Sequence, residues 1–185
     1  MAARRAPRSE LPAEISLKPR VTAIARDAAE VVRFAGGWLF DKAMAGWETN
    51  VLTLDGGDLR SLQILGANSH DLASVLESQT ALGHCLQAIA IPAELYRSDP
   101  GVRRIAGSTL ESAPGELLLW GDDLPADLSR APGGYPQLPR PALPVQHQLS
   151  IAARVFKAHA LAAARIPDPG EVVGAVESFR SIRVW

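Results

Sequence analysis

Cysteine and lysine are scarce in this sequence. Cys85 is the single cysteine, so no internal disulfide can form and a reducing compartment suits the chain. Lys18, Lys42 and Lys157 are the only lysines among 19 basic residues, an arginine excess that, with abundant alanine, points to a GC-rich genome. No run reaches the ~18 consecutive apolar residues of a membrane helix. The N-terminal stretch MAARRAPRSELPAE has no apolar core, so it does not read as a signal peptide. A formal net charge of −1 argues against a polyelectrolyte binder. These absences predict a cytoplasmic protein with no membrane association. With 185 residues, 47% hydrophobic and 21% charged, the chain can bury a core without a disulfide or metal staple.

Charge is uneven along the chain. Arg4, Arg5, Arg8, Lys18, Arg20 and Arg26 outweigh Glu10 and Glu14, whereas Glu111, Glu116, Asp122, Asp123 and Asp127 have no basic residue among them. A solvated arm and a solvated acidic segment explain both. Residues 1–19, with Pro7, Pro12 and Pro19, read as a mobile basic arm.

From Val21 the spacing of Ile24, Ala28, Val31, Val32, Ala35, Trp38 and Leu39 predicts a helix running to about Ala45, closed by Gly46 with Trp47 folded back. Gly36 and Gly37 then lie inside a helix, where each costs ~1 kcal/mol relative to alanine. Close packing can offset that cost. A helix start facing an anion is the functional alternative. The pair follows a helix and has no lysine placed for phosphate, so packing is preferred. The runs TNVLTL and RSLQIL flank Asp55-Gly56-Gly57-Asp58 and predict a β-hairpin. Residues 70–78 read as a helix capped by Ser69, and 84–91 as a buried strand. Two helical pieces divided at Pro100 follow, the second capped by Asp99. GELLLWG, 115–121, is a strand between two glycines. Residues 131–144 read as a proline-rich linker, and VQHQLSIAARVFKAHALAAARI as a helix stopped by Pro167 and Pro169. The tail adds a short helix and an edge strand.

This order predicts an α/β fold: a single layered domain with a mixed, partly parallel sheet flanked by helices, plus the mobile N-terminal arm. Its parts are the arm 1–19, a core 20–130, the linker 131–144 and a C-terminal helix and tail 145–185 packed on the core. The segments GGWLFDKAMAGW and LQILG, with the late H-x-LS-x-AA-x-x-FK helix, resemble small proteins of high-GC Gram-positive bacteria. That resemblance implies no catalytic residue.

Chemistry is sparse. There is no G-x-S-x-G, and His70, His84, His147 and His159 show no metal-ligand spacing. His84 and Cys85 are adjacent and would point to opposite faces of a strand. One constellation remains. The ends of VLTLD, IAIPAE and LLLWGDD would bring Asp55, Glu94, Asp122 and Asp123 to the carboxyl edge of a parallel sheet, where ligands bind. Such carboxylates can hold Mg²⁺ with waters. The preferred function is a non-catalytic binding or regulatory module with a protein partner, a small-molecule partner or a second copy. The alternative is a Mg²⁺-dependent or phospho-acceptor-like enzyme using that edge. A third reading is weak nucleic-acid contact through Arg4, Arg5 and Arg8.

Overall fold

The computed structural model describes residues 18–57, 59–78, 86–111, 115–121, 142–166 and 173–184. The element order is β1 (Arg20–Ala25), α1 (Ala28–Met44), β2 (Glu48–Thr53), α2 (Arg60–Ile64), β3 (Asn68–Asp71), α3 (Leu72–Ser78), β4 (Leu86–Pro92), α4 (Ala93–Ser98), α5 (Pro100–Glu111), β5 (Gly115–Trp120), β6 (Leu143–Gln148), α6 (Ile151–Ala163) and β7 (Val176–Val184). The strands form one seven-stranded sheet in the order β3-β2-β1-β4-β5-β7-β6. β1 to β5 run parallel, while β7 is antiparallel to both β5 and β6. The α/β class with a mixed, partly parallel sheet is therefore observed.

Side-chain alternation divides the core. Val21, Ala23 and Ala25 of β1 join α1, α2 and α6 on one face, and Ile24 joins α3, α4 and α5 on the other. From β1, strands are added first toward β3 and then, from β4, toward the other edge, which makes the carboxyl ends of the parallel pair β1 and β4 the topological switch point.

Several local expectations are corrected. Residues 20–25 are a strand, not the start of the helix. Asp27, in extended backbone, divides the two by accepting from Glu30 N (2.8 Å), and Glu30 Oε2 accepts from Arg26 N (3.0 Å). This reciprocal cap stops strand and starts helix. The hairpin is absent. RSLQI is helical because Leu62 and Leu65 must reach one buried face, and β3 pairs parallel to β2, which needs a crossover and not a tight turn. The helix after β3 starts at Leu72, and Asp71, not Ser69, accepts from Ser74 N. Leu143 and Pro144 belong to the edge strand β6, and β7 lies inside the sheet between β5 and β6.

Other ends match their sequence signals. Gly46 (φ 84°) closes α1, with Gly46 N donating to Ala43 O and Trp47 N to Lys42 O. Asp99 accepts from Gly101 N and Val102 N at the start of α5.

α1 and α6 pack together around Gly36 and Gly37. A Cβ on Gly36 would meet Leu65 Cδ1 at 3.2 Å, and one on Gly37 would meet Leu149 Cδ2 at 2.3 Å. Both glycines are buried. A buried ion pair is built into the same place. Lys157 Nζ donates to Glu177 Oε1 and to Arg33 O, each at 2.6 Å, and the paired side chains are 3% and 2% exposed. Glu177 also accepts from Gly37 N (2.8 Å) and Trp38 N (2.7 Å). The anion facing this glycine pair is thus the chain's own carboxylate. Burial pushes the Glu177 carboxyl up, against the Lys157 ammonium and the two backbone donors.

Where α1 ends and α6 begins, Asp41 accepts from His147 Nε2 (2.9 Å) and from Ser150 N (3.2 Å). Burial raises the Asp41 carboxyl, but the hydrogen bonds from Ser150 and His147 outweigh it and hold the group below its usual value. A depressed carboxylate stabilises the fold above its unfolded pKa, and that stability is lost as pH falls through the folded value. Asp41→Ala should cost ~1 kcal/mol at neutral pH, with the deficit closing in acid. Urea melts of both proteins across the acid range check this.

Candidate functional site

The carboxyl ends of β1, β2 and β4 carry the residues of interest. Arg26 follows β1 directly, and three backbone hydrogen bonds fix it: its N–H to Glu30 Oε2, and its C=O from Leu54 N (3.1 Å) and Asp55 N (2.9 Å). Its guanidinium reaches across the switch point to Glu94 after β4, at 3.4 Å, with both side chains more than half exposed. Burial pushes the neighbouring Glu30 carboxyl up, the hydrogen bond from Arg26 N–H opposing it. On the other side of Asp27 lies a cavity of about 310 Å³, lined by Asp27, Ala28, Ala29, Asp55, Gly57 and the end of α6, Ala163 to Arg165. Small side chains at the start of α1 and the end of α6 leave this space open. Arg165 has φ 57°, a left-handed backbone directly after the last turn of α6, and it is exposed.

Of the carboxylates expected at this edge, Asp55 lines the cavity and Glu94 turns to Arg26. Asp122 and Asp123 lie outside the described residues, as do Arg4, Arg5 and Arg8. Arg26, Asp27 and Arg165 are absent from the sequence-based set. The Asp27-to-Glu30 spacing of a capping box was the available signal for the first two.

No family model matches the sequence, and no curated protein is significantly similar to it. Solved structures share the fold. A deacetylase–teicoplanin complex from the teicoplanin biosynthesis pathway is similar with a TM-score of 0.61 and 12% identity, over 89% of this chain and 98% of that one. GalB, the 4-carboxy-2-hydroxymuconate hydratase of Pseudomonas putida KT2440, is similar with a TM-score of 0.55 and 11% identity, over 90% and 96%. The zinc-inhibited form of teicoplanin deacetylase Orf2 is similar with a TM-score of 0.54 and 13% identity, over 89% and 98%.

Zinc in that last structure raises the question of whether this edge fits a metal ion. Protein zinc sites draw three or four ligands from His, Cys, Asp and Glu. Among the described residues, no three such side chains gather anywhere. Asp27 caps α1 and Glu94 pairs with Arg26. His147 contacts Asp41, His70 contacts Asn50, and His159 is exposed on α6. The described donor set does not fit zinc, and nothing in the fold or its neighbours points specifically to the Mg²⁺ of the enzyme alternative.

The expectation of a non-catalytic binding or regulatory module is corrected by these neighbours. Nearly the whole chain has the fold of solved deacetylases and a hydratase, and the enzyme alternative agrees better with that fold.

Proposed function

We propose that this protein is a hydrolase that removes an acyl group, with its site in the cavity beside Asp27. The observation that carries the reading is the position of the cavity. It opens at the carboxyl ends of β1 and β2, beside the switch point, where open α/β sheets bind ligands. The fold it shares with deacetylases and a hydratase supports an enzyme that uses water as a reactant.

Asp55 is the group suited to act as base. It lines the cavity and is exposed, and it follows β2 on a backbone tied to Arg26 O. In the hydrolysis, Asp55 takes a proton from water as the hydroxide adds to the acyl carbon. The C–N or C–O bond then breaks, the leaving nitrogen or oxygen receives that proton, and the products are a carboxylic acid and an amine or alcohol. The small side chains of Ala28, Ala29 and Ala163 leave room on the cavity wall for a small acyl group.

Acetate release from a panel of N- and O-acetylated small molecules tests the reading. Asp55→Asn should lower kcat by about 10²-fold or more, the usual contribution of a positioned base. Its melting temperature should not move, because the side chain is exposed. Failure of the wild-type protein to release acetate from any member, or full activity in the variant, would refute the assignment.

A further inference from the structure

We infer that the reaction in this cavity runs without zinc and that the guanidinium of Arg165 supplies its positive charge. The inference rests on the hydrolase reading and names the electrophile of that site. Carboxylates are present at this edge, but among the described residues the fold commits two of them elsewhere. Asp27 is held by Glu30 N at 2.8 Å, and Glu94 faces the Arg26 guanidinium. Among the described residues, Asp55 is then the remaining carboxylate on the cavity wall. A single carboxylate with waters is a poor cage for zinc, which takes nitrogen, sulfur and oxygen ligands in a tetrahedron.

Arg165 is the basic residue on the cavity wall. Two features hold it there. Its backbone is left-handed, with its N–H donating to Ala162 O at 3.1 Å. It also follows the carboxyl end of α6, where the helix dipole favours a cation. A guanidinium stays charged at every working pH and presents parallel N–H donors that match an oxyanion. When hydroxide adds to the acyl carbon, the carbonyl oxygen gains the negative charge that this fork can receive. Asp55 as base and Arg165 as oxyanion donor thus form a complete pair for acyl hydrolysis.

Zinc binding is read directly. The purified full-length chain, dialysed without chelator, is analysed for metal content and then titrated with zinc chloride by calorimetry. Substoichiometric zinc and no saturable binding are expected. Chelator should leave acetate release unchanged. One equivalent of tightly held zinc, or activity lost to chelator and restored by zinc, would overturn the inference. The titration needs no substrate, so it decides this point even where the acetate assay shows no hydrolysis. Arg165→Gly suits the left-handed backbone, so its melting temperature should hold. Its kcat should fall about 10²- to 10³-fold, the usual loss for an oxyanion donor, with a smaller change in KM. Arg165→Lys should recover part of the rate. Unchanged kcat in Arg165→Gly would remove Arg165 from this role.

Discussion

Lys157→Met should destabilise the protein by ~3–5 kcal/mol, the cost of leaving a buried charge without its partner. The change removes a side chain that is 3% exposed and donates to Glu177 Oε1 and Arg33 O. Glu177 would keep Gly37 N and Trp38 N as donors but lose its counter-charge. Burial already pushes this carboxyl up, and without the ammonium it rises further. A raised folded pKa gives stability that is present at low pH and lost as pH rises through the folded value. The deficit of Lys157→Met should therefore grow from acid to neutral pH, the same direction as for Asp41→Ala but from a different cause: an uncompensated buried carboxylate and not a lost favourable one. Pairing it with Glu177→Gln should recover part of the loss, because the carboxamide carries no charge. Denaturant melts of the two single variants and the double variant give the coupling. A single-variant loss below ~1 kcal/mol, the range of an exposed pair, would mean that the pair is not buried in solution.

Gly37→Val should cost ~3 kcal/mol or more, at the upper end of overpacking effects. Its Cβ would lie 2.3 Å from Leu149 Cδ2, 2.8 Å from Cδ1 and 3.1 Å from Cγ, so the whole end of that side chain is in the way. Leu149 has little freedom to move. It is 6% exposed, its N–H donates to Ala175 O, and it joins β6 to α6. Gly36→Ala is milder. Its closest contact is Leu65 Cδ1 at 3.2 Å, and the ~1 kcal/mol that alanine gains over glycine in a helix offsets a small shift. Because Gly36 is buried, stabilisation through solvent exposure does not apply. Thermal melts of both variants test the ranking. Equal melting temperatures for Gly37→Val and the wild type would show that α1 and Leu149 are not in contact.

The sequence made the α/β class legible because β4, β5 and the halves around Pro100 carry strong local signals. β1 was hidden. Val21 and Ile24 continue the helical spacing of α1, and one residue pair, Arg26-Asp27, divides the two elements. A short apolar run such as RSLQIL carries no period long enough to separate strand from helix. Losing β1 also lost the site, since Arg26 and Asp27 define its edge. Asp55 and Glu94 were found because the carboxyl ends of β2 and β4 were correctly located, although the partner that turns Glu94 aside was not. Lys157 was unreadable in another way. A lysine on an apolar face reads as the helix's solvent side, and only Glu177, twenty residues later on a different element, makes its burial tolerable. Arg165 follows a helix end with no motif around it, so only its place on the cavity wall singles it out.

The placement of β7 has a consequence for biosynthesis. α1 is translated well before β7, yet Glu177 of β7, 140 residues after Gly37, receives two of its buried N–H groups. β6 also has its only described sheet neighbour in β7, so β6 cannot pair before residues 176–184 are translated. The growing chain must hold this helix without its buried acceptor until β7 has been made. Lys157 emerges about twenty residues before Glu177 and waits without its counter-charge for roughly one to four seconds at ordinary elongation rates.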